Sequence, residues 1–137
     1  MGDLFDMKSF ILVGFFCFIA SFCFSQSQRD LNIKADQDFH KADEALNAVY
    51  QKLLKDYSGN KAFIRNLKNA QRLWVQLRDA EMLVKFPETK SNAYGSAHPM
   101  CRSMYLTELT QERIKRLRVW VNGINEGDVC NGSVKTN

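Results

Sequence analysis

The sequence predicts a small all-α domain of three helices, built on an antiparallel helical hairpin and preceded by a signal peptide. Three stretches repeat apolar residues at spacings of three and four, which is the period of an amphipathic helix. Segments rich in Gly, Ser, Asn and Pro separate these stretches, and no strand pattern or internal repeat occurs. The 137 residues suit one such domain, with a predicted core of about residues 35–124.

The first segment has the plan of a signal peptide. Residues 10–24 carry no charge, Lys8 precedes them, and Ser25 follows. This apolar run is shorter than the roughly 20 residues that a membrane-spanning helix needs, which disfavours a permanent anchor. We therefore expect residues 1–25 to be removed on export. Residues 26–137 should then form the mature domain, in the periplasm or outside the cell.

The charge balance argues against a nucleic-acid partner. The whole chain has a formal net charge of +4, and loss of Asp3, Asp6 and Lys8 with the signal peptide leaves 18 basic and 13 acidic residues. The basic residues are interleaved with acids, which is typical of a solvated helical surface. Two acidic residues are unusual so close to a signal peptide, so Met7 competes with Met1 as the start of the chain.

The first helix is predicted from about Ala35 to Tyr57. Acidic residues lie in its first turn and lysines in its last turn, which complements the helix dipole. Residues 58–60 end it, and because this break is short the second helix should return antiparallel. Its apolar stripe consists of Phe39, Ala42, Leu46, Val49, Leu53 and Tyr57.

The second helix is predicted from about Lys61 to Lys85, and Pro87 stops it. Residues 86–99 have no period and carry two prolines. We expect them to form a long loop and the most mobile part of the domain. The apolar stripe of this helix consists of Phe63, Leu67, Ala70, Trp74, Leu77 and Val84, with Glu81 in the place of a further apolar residue.

The third helix is predicted to begin between Met100 and Thr107, with Ser103 as a candidate N-cap. It should end just before Gly123, and residues 125–137 should form a polar tail. Its apolar stripe consists of Leu106, Leu109, Leu117, Trp120 and Ile124, with Arg113 in the middle.

The sequence contains no recognisable catalytic or metal-binding constellation. It has no glycine-rich phosphate loop, and neither the GxSxG nor the HExxH motif occurs. His40 lacks a second ligand at metal spacing, and His98 with Cys101 alone is a weak zinc signal. We therefore expect a non-enzymatic protein without a cofactor or a metal ion.

Polar residues at the helix seams are predicted to hold the helices in register. Gln71, Trp74 and Arg78 recur at steps of three and four, so they share one side of the second helix. An arginine is costly to bury alone, so Arg78 and Arg113 should find carboxylates. Asp79 and Glu81 are the candidates, with Glu81 for Arg113. Removing Arg113 from such a network should cost about 3–5 kcal/mol. The alternative is an exposed polar patch for a partner. The whole set is Gln71, Trp74, Arg78, Asp79, Glu81 and Arg113.

Three sequence motifs lie within about residues 38–117. They are the stretches KADEALNAVYQKLL, KNAQRLWVQLRDAE and YLTELTQERIKRL. Their order and residues resemble the N-terminal domain of the family named for the lysozyme inhibitor LprI. The resemblance implies a compact helical domain of an exported bacterial protein, often without an assigned activity. The motif residues are Ala42, Asp43, Leu46, Asn47 and Tyr50, then Gln71, Trp74, Arg78 and Asp79, then Leu109, Thr110 and Arg113.

The predicted mature chain keeps Cys101 and Cys130, and an even pair of cysteines in an exported protein suggests a disulfide. If the third helix began at Cys101, its far end would lie ~30 Å away and the tail would have to run straight back. A later start of the helix shortens the distance that the tail must cover. We therefore predict a disulfide between Cys101 and Cys130, which should stabilise the domain by ~3–4 kcal/mol. Members of the family often carry cysteines at places corresponding to Lys34, Met82 and Tyr105, so their disulfide pattern does not carry over.

The resemblance suggests a binding protein that inhibits lysozyme by direct docking. Animal lysozymes are typically strongly cationic, so a basic domain would be repelled at long range unless an acidic patch dominates locally. Glu126 and Asp128 in the tail are the candidate patch. The alternative is a structural or accessory module of the cell envelope without lysozyme activity.

Overall fold

The computed structural model confirms the predicted all-α fold with three helices: α1 (Asp3–Asp56), α2 (Lys61–Lys85) and α3 (His98–Asn122). The described residues contain no β-strand, and none of their helices has a stretch long and apolar enough to span a bilayer. The structure describes the backbone of residues 3–88, 90, 93–127 and 129–137, and the side chains from Ser27 onward within these ranges.

Helix α1 begins far earlier than the predicted start at Ala35. The residues before Ala35 contain neither Gly nor Pro back to Ser27, so nothing in them interrupts the helix. An ion pair of 3.1 Å between Lys34 and Asp38 supports this part of α1. The predicted signal peptide, residues 1–25, has its side chains outside the described residues.

Helix α2 has the predicted bounds, because strong local signals define both ends. The side-chain oxygen of Asn60 accepts a hydrogen bond of 3.0 Å from the backbone N–H of Phe63, which caps the first turn. At the other end, Phe86 precedes Pro87 and is disfavoured from continuing the helix.

Helix α3 begins at His98, before the predicted interval, because Pro99 lies in its first turn rather than in the loop. A proline is tolerated there, since its missing N–H would have no helical partner anyway. Ser103, the predicted N-cap, is instead inside the helix, and its carbonyl accepts a hydrogen bond of 2.8 Å from Thr107 Oγ1. The predicted end is confirmed: α3 stops at Asn122, and Gly123 follows with a φ of 75°.

The core lies mainly between α1 and α3, whose backbones approach each other most closely. Small buried residues such as Ala35 and Ala42 on α1 permit this approach, and Thr110 is fully buried on α3. Helix α2 packs more loosely. Three residues of its predicted stripe, Ala70, Leu77 and Val84, are exposed, which corrects their assignment to the core. The central cluster consists of Leu46, Leu53, Tyr57, Leu67, Ile114 and Leu117.

The connection between α2 and α3 packs onto the end of the bundle where its residues are described. The rings of Phe86, Tyr94 and His98 lie 4.8 to 5.4 Å apart, centroid to centroid. The side-chain amide of Asn32 on α1 donates to the carbonyl of Ser96 at 3.1 Å. These contacts oppose the mobility that the composition of residues 86–99 predicts.

The predicted polar tail folds back over the other end of the bundle, and we call residues 124–137 the C-terminal strap. The backbone N–H of Ile124 donates to the carbonyl of Lys135 at 2.8 Å, and that of Asn137 donates to the carbonyl of Ile124 at 3.0 Å. Trp120 Nε1 on α3 donates to Ser133 Oγ at 3.0 Å. The amino group of Lys135 reaches Asp56 at the end of α1, at 3.5 Å. The strap thus connects the ends of α1 and α3.

Candidate functional site

Trp74, near the middle of α2, is half-buried between two arginines. The guanidinium carbon of Arg78 lies 5.3 Å from the centroid of the indole ring, and that of Arg113 on α3 lies 5.8 Å from it. Both distances are within the range of cation–π attraction, which favours a guanidinium beside an electron-rich indole. Three residues of the family motifs therefore meet at one place.

Arg113 has an amide, not a carboxylate, as its hydrogen-bond partner. Its Nε donates to Gln71 Oε1 at 3.0 Å. Burial lowers the pKa of Arg113 below its ordinary value, and the like charge of Arg116 lowers it further. Because no carboxylate among the described residues pairs with Arg113, its charge is only partly compensated.

The predicted ion pair between Arg113 and Glu81 does not form. Helix α3 runs antiparallel to α2, so Arg113 is level with Gln71 whereas Tyr105 is level with Lys85. Glu81 lies between these two levels, and the described residues show no ion pair between it and Arg113. Both side chains instead line an open groove of about 420 Å³ between α2 and α3.

Arg78 lies on the same side of α2 as Trp74, reaches toward α1 and contacts two carboxylates. Its Nε and Nη2 donate to Asp79 Oδ1 at 3.1 and 3.0 Å, and its Nη1 lies 4.0 Å from Asp43 on α1. The Arg78 side chain is only 16% exposed, whereas Asp43 and Asp79 are 41% and 62% exposed. The cation therefore lies inside the seam between α1 and α2, and the carboxylates face solvent.

Carboxylates continue along the side of α1 that carries Asp43. Asp43 accepts a hydrogen bond of 3.2 Å from the side-chain amide of Asn47, and Asp36 lies 3.4 Å from His40 Nε2. Asp36 and Asp43 are seven positions apart, which places them on the same face of the helix. We call Asp36, Asp43 and Asp79 the acidic seam. Sequence reasoning did not assemble it, although the spacing of Asp36 and Asp43 was a visible signal.

The remaining motif residues face the interior. Ala42 and Leu46 are buried on α1, and Tyr50 is half-buried. On α3, Leu109 is half-buried, and Thr110 is fully buried with no hydrogen-bond partner for its Oγ1.

The two cysteines are not joined to each other. Cys101 and Cys130 are both exposed. Since α3 starts at His98, Cys101 lies in its first turn, about 30 Å along the helix from the end where the strap folds. The early start of α3 is the physical reason that the predicted disulfide is absent from the structure.

The histidines do not gather metal ligands. No three His, Cys, Asp or Glu side chains in the described part of the chain lie close enough together to hold a metal ion. His40 pairs with Asp36, while His98 packs against Phe86 and Tyr94 with its Nε2 buried and without a hydrogen-bond partner.

Comparison with known proteins places these features in context. A family described as "Lysozyme inhibitor LprI" matches residues 23–117 of the chain. The chain is also 38% identical over 103 residues to an uncharacterized protein of Rhizobium meliloti (strain 1021), covering 67% of this chain and 72% of that protein. No solved structure matches significantly.

Proposed function

Because the chain belongs to the lysozyme inhibitor LprI family, we propose that it is an exported, non-enzymatic binding protein that inhibits lysozyme by direct docking. Residues 1–25 serve as the signal peptide in this proposal. The mature domain then meets lysozyme outside the cytoplasm.

The acidic seam is the observation that supports docking on a cationic lysozyme. The whole chain is basic, with a net charge of +4, so its long-range field repels a cationic protein. The acidic seam provides local attraction, because solvent-exposed charges are screened beyond about 8 Å at physiological ionic strength. The other candidate patch, Glu126 and Asp128 in the strap, stays a prediction, because Asp128 lies outside the described residues.

Arg78 organises the acidic seam. Its guanidinium contacts Asp43 and Asp79 from inside and so holds carboxylates of two helices in a fixed relation. Preorganised carboxylates lose less side-chain entropy on binding, which favours a specific complex over diffuse attraction. Complementary charge of this kind acts mainly on the association rate and on specificity.

The test measures the turnover of a cationic animal lysozyme with increasing amounts of the purified chain, at low and physiological salt. Inhibition at stoichiometric amounts, weaker at the higher salt, is expected. Absence of inhibition at large excess would refute lysozyme as the target and favour the accessory envelope module.

A matched pair of variants locates the docking surface. The seam variant carries Asp36→Asn, Asp43→Asn and Asp79→Asn, and the control carries Asp30→Asn, Glu108→Gln and Glu112→Gln. Both remove three negative charges, and all six side chains are at least partly exposed. Inhibition should weaken at least tenfold more in the seam variant than in the control, since a few charge contacts are each worth roughly 0.5–1 kcal/mol. Equal weakening in both would show that the acidic seam is not the docking surface.

A further inference from the structure

Four cations form a line along the first half of α2. Lys61, Arg65, Lys68 and Arg72 recur at intervals of four, three and four residues, so their side chains share one face of the helix. All four are exposed, and the line is about 16 Å long at the rise of an α-helix. We call these four residues the basic ridge.

No contact within the domain accounts for the basic ridge. Among the described residues, Lys61, Arg65 and Lys68 have no ion-pair or hydrogen-bond partner, and Arg72 donates only to Asn69 Oδ1 at 2.8 Å. The first turn of α2 has no acidic residue, so Lys61 lies at the positive end of the helix dipole, where a cation is unfavourable. The ridge thus does not stabilise the isolated helix, and its four cations are available to an anionic partner.

Apolar side chains continue the outer face of α2 beyond the basic ridge. Leu73, Leu83 and Val84 are 50%, 64% and 81% exposed, and Leu73 also lines the groove between α2 and α3. A helix with cations and large apolar side chains on its outer face has the composition of an interfacial membrane helix. A purely hydrophilic polyanion would leave these three side chains in water.

The geometry points to α2 as a docking surface for an anionic phospholipid bilayer, with the basic ridge at the headgroups and the three apolar side chains at the acyl boundary. A two-fold contact of α2 with the α2 of a second copy fits this face less well. The acidic residues that α2 offers to a copy are Asp79 and Glu81, and Arg78 already bonds Asp79. Binding to a bilayer goes beyond lysozyme inhibition and does not depend on it.

The test compares binding of the full chain to vesicles of phosphatidylglycerol and phosphatidylcholine in equal parts with binding to vesicles of phosphatidylcholine alone. All variants retain residues 1–25, so any membrane affinity of that segment is common to them. The ridge variant carries Lys61→Gln, Arg65→Gln, Lys68→Gln and Arg72→Gln. The charge-matched control carries Lys55→Gln, Arg102→Gln, Lys115→Gln and Arg118→Gln, all exposed positions outside α2. A third variant, Leu83→Gln with Val84→Gln, keeps every charge.

The unmodified chain should prefer the anionic vesicles, and the preference should fall as salt is added. Each cation removed from the basic ridge should weaken this binding about fivefold, so the ridge variant should lose on the order of a hundredfold or more. The control should lose much less, and the Leu83/Val84 variant should bind more weakly with its salt dependence intact. Circular dichroism checks that every variant remains folded.

Equal losses in the ridge variant and the control would overturn the proposal, because net charge alone would then explain the binding. Sedimentation provides the second readout. If the ridge variant turned a dimer into a monomer and left vesicle binding unchanged, the face would be an interface between copies and the bilayer would be excluded.

Discussion

Thr110 should be replaceable by valine with a gain in stability. Its side chain is fully buried on the face of α3 that also buries Ile114 and Leu117, and its Oγ1 has no hydrogen-bond partner among the described residues. A buried hydroxyl without a partner costs about 1–3 kcal/mol, whereas a buried methyl group contributes about 0.8 kcal/mol. Because valine has nearly the same shape as threonine, Thr110→Val should raise the free energy of unfolding by about 1–2 kcal/mol.

Thr107 is a matched control one turn earlier in the same helix. Its Oγ1 donates a hydrogen bond of 2.8 Å to the carbonyl of Ser103, so Thr107→Val removes a bond that exists. That change should lower the free energy of unfolding by about 0.5–1.5 kcal/mol. Both variants convert threonine to valine within α3, so differences in helix propensity largely cancel between them.

The assay is urea unfolding of both variants and the unmodified chain, followed by the helical circular dichroism signal. The midpoints should move in opposite directions with unchanged slopes. A loss of stability in Thr110→Val as large as that in Thr107→Val would refute the reasoning, because the Thr110 hydroxyl would then have a partner in solution.

Three further changes test the strap, an exposed carboxylate and the Trp74 surroundings. Gly123→Ala should destabilise the domain by about 1–3 kcal/mol, because its φ is 75° and an added Cβ would overlap Asn137. Gly132→Ala, with a φ of 56° and open space around the added Cβ, is the control and should lower the stability less when both variants are followed by thermal unfolding. Equal losses of stability would show that the strap does not constrain Gly123. Hydrogen bonding to Lys52 holds the pKa of Asp56 in the folded chain below its ordinary 3.8. The ionised Asp56 therefore stabilises the domain fully above pH 3.8, and this stabilisation is lost as the pH falls through the lower pKa of the folded state. Asp56→Asn should flatten the decline of stability in acid, and an unaltered decline would contradict this role. Arg113→Leu should lower the free energy of unfolding by about 1–3 kcal/mol, and an unchanged melting temperature would refute a structural role for its bond to Gln71.

The helix ends that were predictable are those with a local chemical cause. Asn60 and Pro87 bound α2, and Gly123 ends α3, because each acts through the backbone of its own neighbours. The start of α3 was predicted wrongly because proline, here Pro99, is typical of both loops and first helical turns. Only the surrounding packing of Phe86 and His98 decides between the two.

The candidate site was less predictable, because helical periodicity identifies a face but not how many neighbours that face has. Leu77 and Val84 follow the apolar period and are nevertheless exposed, since α2 packs loosely. The acidic seam depends on Arg78 reaching Asp43 on another helix, and no local pattern in the sequence specifies that distance.

The close packing of α1 against α3 has a consequence for how the chain folds. A hydrogen bond of 3.2 Å from Tyr57 Oη to the carbonyl of Trp120 spans 63 positions of sequence, and α2 lies within that span. The most buried part of the domain therefore forms only after a long loop closes, which slows folding relative to a bundle of sequential neighbours. In hydrogen exchange, the amides of α1 and α3 facing each other should open last, and α2 should detach and exchange while that pair is still intact.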